Sequence, residues 1–496
     1  MLSWTVYLSF LASIGCFISP ASRPERCRWI ALSSAILTTM MALRVMLFQN
    51  PPEDGAIEII THQAWIPTLG IHFLLGFDGI SLVMVLLTGI ASIAAILFSW
   101  DIETRANEFF GFLMALIGGV YGVFISFDLF LLFVFYEIAI IPKYFLIAIW
   151  GSTNKSYGAM KLVLYSFVGS ALALVGILAA FVVSGAESFA LQELIQFPYE
   201  EGFQRWAFPV TFLGFVILAG LWPFHTWAPT GHVAAPTGTS MLLAGVVMKL
   251  GAYGALRVPL TLFPMGASIW REELALLAAL GIVAGALVAL VQQDFKFVIG
   301  YSSVSHMGFV MLGLLATTEA GLSGAVLQMF SHGIIAGLLF AVVGRMIYTR
   351  THTRDLQALS QFDLRRQLPF AGTVFLLAGL ASMGLPGFSG FVAELHVIAG
   401  AWQSYAWLSL LAGLGVVLGV AYTMRALLAS FWPAPHSVPA HVQSLPPITL
   451  PEKCGAILLL AATLLVGLYP RLLLDWVIPC LHAPMLQPLI ERVSTI

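Results

Sequence analysis

Runs of apolar residues about 20 long, the length that carries an α-helix across a bilayer core, recur along the whole chain between short stretches of Pro, Gly and charge. Their limits predict fourteen spans, near 3–20, 28–48, 77–99, 108–126, 129–150, 159–184, 206–227, 235–258, 273–293, 297–317, 321–348, 369–400, 403–431 and 454–478. Two spans are interrupted. AGLWPFHTWAPTGHVAAPTG breaks the seventh through Pro223 and Pro229, and MGLPGFSGFVAE breaks the twelfth through Gly384, Pro386, Gly387 and Gly390. Proline removes a backbone donor and clashes with the preceding turn, so such breaks are tolerated only inside protein or against a cavity. The breaks lie five spans apart, and an odd offset gives the two surrounding units opposite topology. The pattern therefore predicts an all-α polytopic membrane protein with two inverted five-helix repeats and two broken helices. Its expected division is 1–107 for helices 1–3, 108–258 and 259–432 for the repeats, and 433–496 for helix 14 and the tail.

Charge sets the expected orientation. With the N-terminus outside, the cytoplasmic loops hold Arg23, Arg26, Arg28, Arg105, Lys155, Lys161, Lys296, Arg345, Arg350, Arg354, Arg365, Arg366, Arg425 and Lys453. The opposite loops are acidic, with Glu53, Asp54 and Glu58 in one and Glu187, Glu193, Glu200 and Glu201 in another. The positive-inside rule is met by an even count with both termini outside. No basic region precedes the first apolar run, which argues for a retained helix over a cleaved signal.

Composition agrees with the pattern. Of 496 residues 59% are hydrophobic and only 9% charged, against roughly 25% charged in soluble domains. A net charge of −2 without a basic tail gives nucleic acid no footprint. Cys16, Cys27, Cys454 and Cys480 lack metal, haem or iron–sulfur spacing, and no GxGxxG or P-loop is present. Any redox chemistry that drives the protein is expected on another chain.

Against this background the titratable residues inside spans carry the functional signal. An ammonium or carboxylate in hydrocarbon costs several kcal/mol unless it is paired or hydrated, so each one is a candidate site. Glu137, Lys249, His306, His332 and Glu394 each lie at mid-depth of a separate apolar segment, a pattern that reads as a proton path. Lys249 is eight residues from Arg257, about 12 Å at 1.5 Å per residue, too far for easy snorkelling. Glu137 could instead be a structural protonated carboxyl. Either histidine alone could be an ordinary core residue, but two on consecutive spans, flanked by Ser302, Ser303, Ser305 and Ser331, favour a relay. Glu394 follows the break, where the second half-helix offers its positive dipole end. His225 and His232, with Pro223 and Pro386, are candidates for gating. Lys161 and Lys296 are expected to snorkel from span ends, and Asp78 to cap a helix start.

The motifs AGVVMKLGAYGALR, YSSVSHMGFV, QMFSHG, RTHTRDL and GLPGFSGFVAE closely resemble the antiporter-like M subunits of proton-pumping NADH:quinone oxidoreductase, respiratory complex I, from about Gly76 to Arg425. The resemblance implies a fourteen-helix fold with two inverted repeats, in which Glu137 is the input carboxylate, Lys249 the central lysine, His306 and His332 bridging histidines and Glu394 the exit residue. It also implies that NADH, FMN, iron–sulfur clusters and quinone are held by partner subunits, that this chain holds no cofactor or metal, and that it sits beside other antiporter-like subunits in the inner membrane. Glutamate at 394 argues against the N-type relative, and the chain's end at Ile496 against the L-type with its lateral helix. One departure stands out: the family's seventh-helix lysine, nine residues before the tryptophan of PFHTW, is Leu218 here, whereas Lys143 occupies a position where a neutral residue is usual. Lys143 is expected either to replace the missing lysine or to snorkel to the cytoplasmic face. The alternatives are a subunit of a multisubunit Na+/H+ antiporter or membrane-bound hydrogenase, a stand-alone solute transporter that clamps substrate between Lys249 and Glu394, and a structural scaffold.

Overall fold

The computed structural model describes residues 1–52, 54–433 and 444–491. Glu53 and the C-terminal Ile496 of the expected topology lie outside the described residues. The bundle begins with α1 (Ser3–Ile18) and α2 (Pro24–Phe48), followed by strands β1 (Glu58–Ile66) and β2 (Ile71–Phe77). Next come α3 (Gly79–Leu97), α4 (Ala106–Ile125), α5 (Leu129–Trp150), α6 (Lys155–Ser184), α7 (Glu201–Ala219) and α8 (Trp227–Ala234). The long helices α9 (Thr237–Leu262), α10 (Pro264–Val291), α11 (Phe295–Ala316) and α12 (Glu319–Thr351) follow. The chain closes with α13 (Pro369–Ser382), α14 (Ser389–Ser404), α15 (Ala406–Phe431), α16 (Leu450–Leu468) and α17 (Arg471–Leu481). Among the described residues twelve helices are long and apolar enough to cross a membrane, and α1 and α13 are shorter apolar helices. This is compatible with the expected fourteen.

The antiparallel hairpin of β1 and β2 is a departure from the all-α expectation. Its segments, EIITHQAWI, largely exposed, and IHFLLGF, largely buried, turn through Pro67–Leu69 and a left-handed Gly70. A two-stranded ribbon has unpaired edges that hydrocarbon does not tolerate. It lies at the end of the bundle that carries Glu187, since the Phe189 N–H donates to the Gly70 carbonyl.

Both breaks are where the sequence puts them, but their closure is common to the two. α7 ends with the Gly220 N–H on Ile217 and the Leu221 N–H on Val216, and α13 ends with the Gly384 N–H on Ala381 and the Leu385 N–H on Leu380. Gly220 and Gly384 have φ of 76° and 74°, the left-handed conformation that glycine adopts without steric cost and that closes helix C-termini. Pro223 and Pro386 lie in the interruptions. Pro229, expected to break the span, instead occupies the first turn of α8, where a missing N–H leaves no intrahelical bond unmade.

Packing sorts the helices into an interior and a periphery. α9 and α12 are buried throughout their most apolar windows and α11 over 94% of it, whereas α6 and α15 are buried over 39% and α16 over 33%. Beyond its first turn the exposed residues of α6 are apolar, including Leu164, Val168, Val175 and Val182, as lipid contact requires. Lys249, His306 and His332 all belong to the three interior helices. Of these, α11 and α12 have starts fixed by side chains, Asp294 accepting from the Lys296 and Phe297 N–H groups and Thr318 from Gly321; Asp128 and Asp78 do the same for α5 and α3, which satisfies first-turn donors.

Candidate functional site

Four of the expected residues meet in the interior. Lys249 Nζ lies 2.7 Å from His332 Nδ1 and also donates to the Ala244 carbonyl at 2.5 Å. The His332 and His306 rings are 5.3 Å apart between centroids and tilted by 31°. His306 Nδ1 is 3.2 Å from Glu394 Oε1. Lysine from α9, histidines from α12 and α11 and a carboxylate from α14 thus form one row of titratable groups, in which the two imidazoles face each other without a direct hydrogen bond and His332 Nε2 is buried and unpaired. Imidazole carries a proton on either nitrogen, which makes each ring of the row a group that can accept on one side and donate on the other.

The row has polar support that the sequence reading did not assign. Gln328 Nε2 lies 3.3 Å from His306 Nδ1, and Ser382 Oγ lies 3.3 Å from His306 Nε2. The signal for Gln328 was its place one helical turn before His332, on the same face of α12. A cavity bounded by both histidines, Gln328, Ser331, Ser382 and Glu394 encloses ≈ 180 Å³ of atom-free space, of which ≈ 10 Å³ takes the centre of a water-sized sphere. That is about the room one water needs. From its edge a chain of hydroxyls runs from Ser331 to Ser389 and on to Thr463, with 2.8 Å steps.

Backbone geometry brings the lysine to the histidine. Leu243–Val247 forms a π turn that ends two residues before Lys249, a device that shifts the following side chains round the helix axis. Beside it Gly245 meets Gly333, whose position leaves no room for a Cβ: one built at Gly333 would lie 2.5 Å from the Gly245 carbonyl oxygen. The two backbones therefore touch, and the lysine stem spans what remains.

Glu137 and Lys143 form a separate group. They are each other's titratable neighbours on α5, with Ser170 of α6 beside Glu137. Lys143 is fully buried, so it does not snorkel. Its Nζ, Glu137 Oε1 and Tyr136 Oη are buried without a hydrogen-bond partner. Such groups are rare and require water or a moving partner. No described contact links this pair directly to Lys249.

The remaining expectations divide. His225 Nδ1 is buried without a partner, and its ring lies 6.1 Å from Tyr301, apart from the row. Both ring nitrogens of His232 are buried and unpaired, and its titratable neighbours are Lys249 and Lys296. Lys161 keeps to the periphery, its ammonium 5.6 Å from the Tyr157 ring centroid. Lys296 does not. Expected to snorkel, it is 3% exposed and its Nζ donates 3.0 Å to the Ala235 carbonyl, because the far wall of α11 faces protein instead of lipid. Asp78 caps α3 as expected, and it also grips Arg257 in an ion pair with both side chains 1% exposed. Among the described residues no group of three or more His, Cys, Asp or Glu is placed to hold a metal ion.

The family described as NADH:quinone oxidoreductase/Mrp antiporter, transmembrane, matches residues 126–419. NADH-quinone oxidoreductase subunit M of Rhodobacter capsulatus is 36% identical over 486 residues, covering 94% of this chain and 93% of the relative. The Escherichia coli subunit M is 33% identical over 490 residues, covering 96% of each. A chain in the structure of respiratory complex I from Thermus thermophilus with bound NADH superposes with a TM-score of 0.87 at 28% identity, covering 100% of this chain and 99% of that one. A chain of the Mrp complex from Dietzia shares the fold, with a TM-score of 0.85 at 20% identity over 99% and 98% of the two chains. With most of its bundle matched by the family and nearly its whole length aligned to M subunits, this multi-pass membrane protein belongs to the NADH:quinone oxidoreductase/Mrp antiporter transmembrane family.

Proposed function

We propose that the chain is the proton-translocating M subunit of an NADH:quinone oxidoreductase, carrying protons along a buried Glu/Lys/His axis while NADH, FMN, iron–sulfur clusters and quinone are handled by partner subunits. The observation that carries this reading is the row from Lys249 through His332 and His306 to Glu394, closed by contacts of 2.7 Å and 3.2 Å at its ends. A proton crossing about 30 Å of hydrocarbon needs carriers joined by hydrogen bonds or water, and the row supplies four. A solute transporter would need room for substrate between Lys249 and Glu394, but that space is filled by two histidines. Replacement of Lys249 in the assembled complex, with proton translocation as the readout, tests the reading.

Two inverted units, 108–258 and 259–432, are part of the proposal. Supporting them, α5 and α11 both start at a capping aspartate that also makes an isolated antiparallel bridge, Asp128 to Ala190 and Asp294 to Asp355. The matching Gly-Leu closures of the two breaks point the same way. We place the end bearing Asp101, Lys296 and Arg345 in the cytoplasm and both termini outside, in the inner membrane, on the charge asymmetry. Reporters fused after Arg366 and at the C-terminus are expected on opposite faces; activity of both on one face would overturn this orientation.

Lys143 is proposed to serve the input half in place of the lysine absent at Leu218. Six residues along one helix set the two side chains about 9 Å apart axially and on different faces, so the pair forms only when the lysine swings. Pro142 sits inside α5 beside it, where the missing N–H loosens the turn. An opposite charge within about 4–6 Å of a carboxylate lowers its pKa by 1–3 units, so this swing switches Glu137 between holding and releasing a proton. Lys143→Met is expected to impair pumping, and Leu218→Lys in that background to restore part of it. Normal pumping by Lys143→Met would remove Lys143 from the path.

A further inference from the structure

Lys296 occupies an unusual place. It begins α11, one turn from the end of the bundle that bears the arginines, yet it turns inward. Its Nζ is held by the Ala235 carbonyl at 3.0 Å, the Ser240 hydroxyl at 3.4 Å and the His232 carbonyl at 3.5 Å. None of these is a carboxylate. The nearby Asp294 is committed elsewhere, accepting the first N–H groups of α11 and pairing with Arg354 at 3.1 Å. The charges that face Lys296 are therefore Arg354 and Asp294, already paired with each other, and a buried ammonium with no carboxylate in hydrogen-bond contact is costly to keep ionised, so this lysine is one that can give up its proton.

One side of it faces an open cleft. A cleft of ≈ 220 Å³ opens at that end of the bundle, with Lys296 among its lining residues together with Ser99, Asp101, Thr237, Gly344 and Arg345. Asp101 at its mouth is 55% exposed, and it pairs with Arg345. The lysine stem lies along Gly344, where a Cβ would come within 3.1 Å of Cε. On the inner side stands His232, whose ring nitrogens are both unpaired and whose titratable neighbours are Lys296 and Lys249. His332 in turn counts Lys249, His306 and His232 as its neighbours.

We propose that Lys296 is a proton-loading residue at the floor of this cleft, delivering protons from the cytoplasm through His232 to the centre of the row at Lys249. This rests on the axis reading above and adds to it an entry that does not pass through Glu137. In each transfer the Lys296 ammonium gives one proton to a free ring nitrogen of His232, the imidazolium passes one to the neutral amine of Lys249, and water in the cleft reprotonates Lys296. Charge is conserved at every step, and no co-reactant beyond water is needed.

The test uses the assembled complex in sealed vesicles, with proton uptake and quinone reduction measured together. Lys296→Gln keeps a donor for the Ala235 carbonyl but cannot carry a proton, and Lys296→Arg keeps the charge but cannot release it. Both are expected to slow proton uptake about a hundredfold, the usual scale for loss of a positioned proton carrier, with thermal unfolding of the complex unchanged. Lys249→Ala is run alongside. Parent-like uptake by Lys296→Gln while Lys249→Ala fails would overturn the entry and leave the axis standing; parent-like uptake by both would remove the axis. A second measurement does not depend on replacing the lysine. In a Cys454→Ser background, Thr237→Cys is labelled with a bulky membrane-impermeant thiol reagent added from the arginine-bearing face. Slowed uptake that is absent from the complex lacking Thr237→Cys supports the cleft as the entry, and labelling without any effect on uptake overturns it.

Discussion

Lys249→Ala in the assembled complex is expected to abolish proton translocation while the subunit still assembles. The ammonium is fully buried and its only described partners are the Ala244 carbonyl and His332 Nδ1. Alanine therefore leaves one imidazole nitrogen short of a partner, which a water can take in the space vacated by the lysine stem, and folding is disturbed little. What it removes is the carrier between the proton's arrival and His332. A positioned acid or base contributes about 10²–10⁴ in rate, so residual pumping should be near the limit of detection. Lys249→Arg separates a carrier from a fixed charge, because guanidinium cannot be deprotonated inside a protein. It too is expected to block pumping. Simultaneous measurement of quinone reduction and vesicle acidification decides the matter: acidification at the parent ratio in Lys249→Ala would end the relay reading, and full function in Lys249→Arg would reduce the lysine to an electrostatic prop.

The largest effect on stability is expected toward the C-terminal end of α9. Arg257 and Asp78 form an ion pair with each side chain 1% exposed, and Arg257 Nε and Nη1 have no hydrogen-bond partner. The guanidinium is also packed 5.2 Å from the Tyr253 ring centroid and 5.7 Å from that of Phe127. Removing one partner of such a pair strands a charge in the interior and costs about 3–5 kcal/mol, whereas replacing both by apolar groups is often neutral. Asp78→Asn is therefore expected to lower the amount of assembled complex in membranes and its unfolding temperature. Asp78→Leu combined with Arg257→Met should recover most of the loss. Parent-like unfolding of Asp78→Asn would show that the pair does not anchor α3 to α9, and failure of the double variant to recover would point to a role for the charges themselves.

Much of this protein could be read along the chain because its signals are local. A run of twenty apolar residues is a helix in hydrocarbon whatever surrounds it, since every backbone group must be satisfied within the segment. Aspartates before α3, α5 and α11 cap by reach alone. The same desolvation cost that makes Lys249 rare marks it, with His306, His332 and Glu394, as a candidate site before any contact is known. The β-hairpin leaves no local signal, because its strands lack period-2 alternation and IHFLLGF runs straight into the apolar stretch of α3. Pro229 was misjudged because its effect depends on where the helix begins.

What the sequence determined by itself is membrane residence, the helices, both interruptions and the identity of the titratable residues inside spans. Only the tertiary structure decided which face of each helix meets protein. Lys161 and Lys296 both stand near span ends among apolar neighbours, yet one lies against a surface tyrosine and the other enters the interior. It likewise joined Lys249 to His332 while leaving Glu137 and Lys143 apart. The reason is physical: lipid and protein interior are equally apolar, so a residue pattern that fits one fits the other, and the choice is made by packing between segments far apart in the chain.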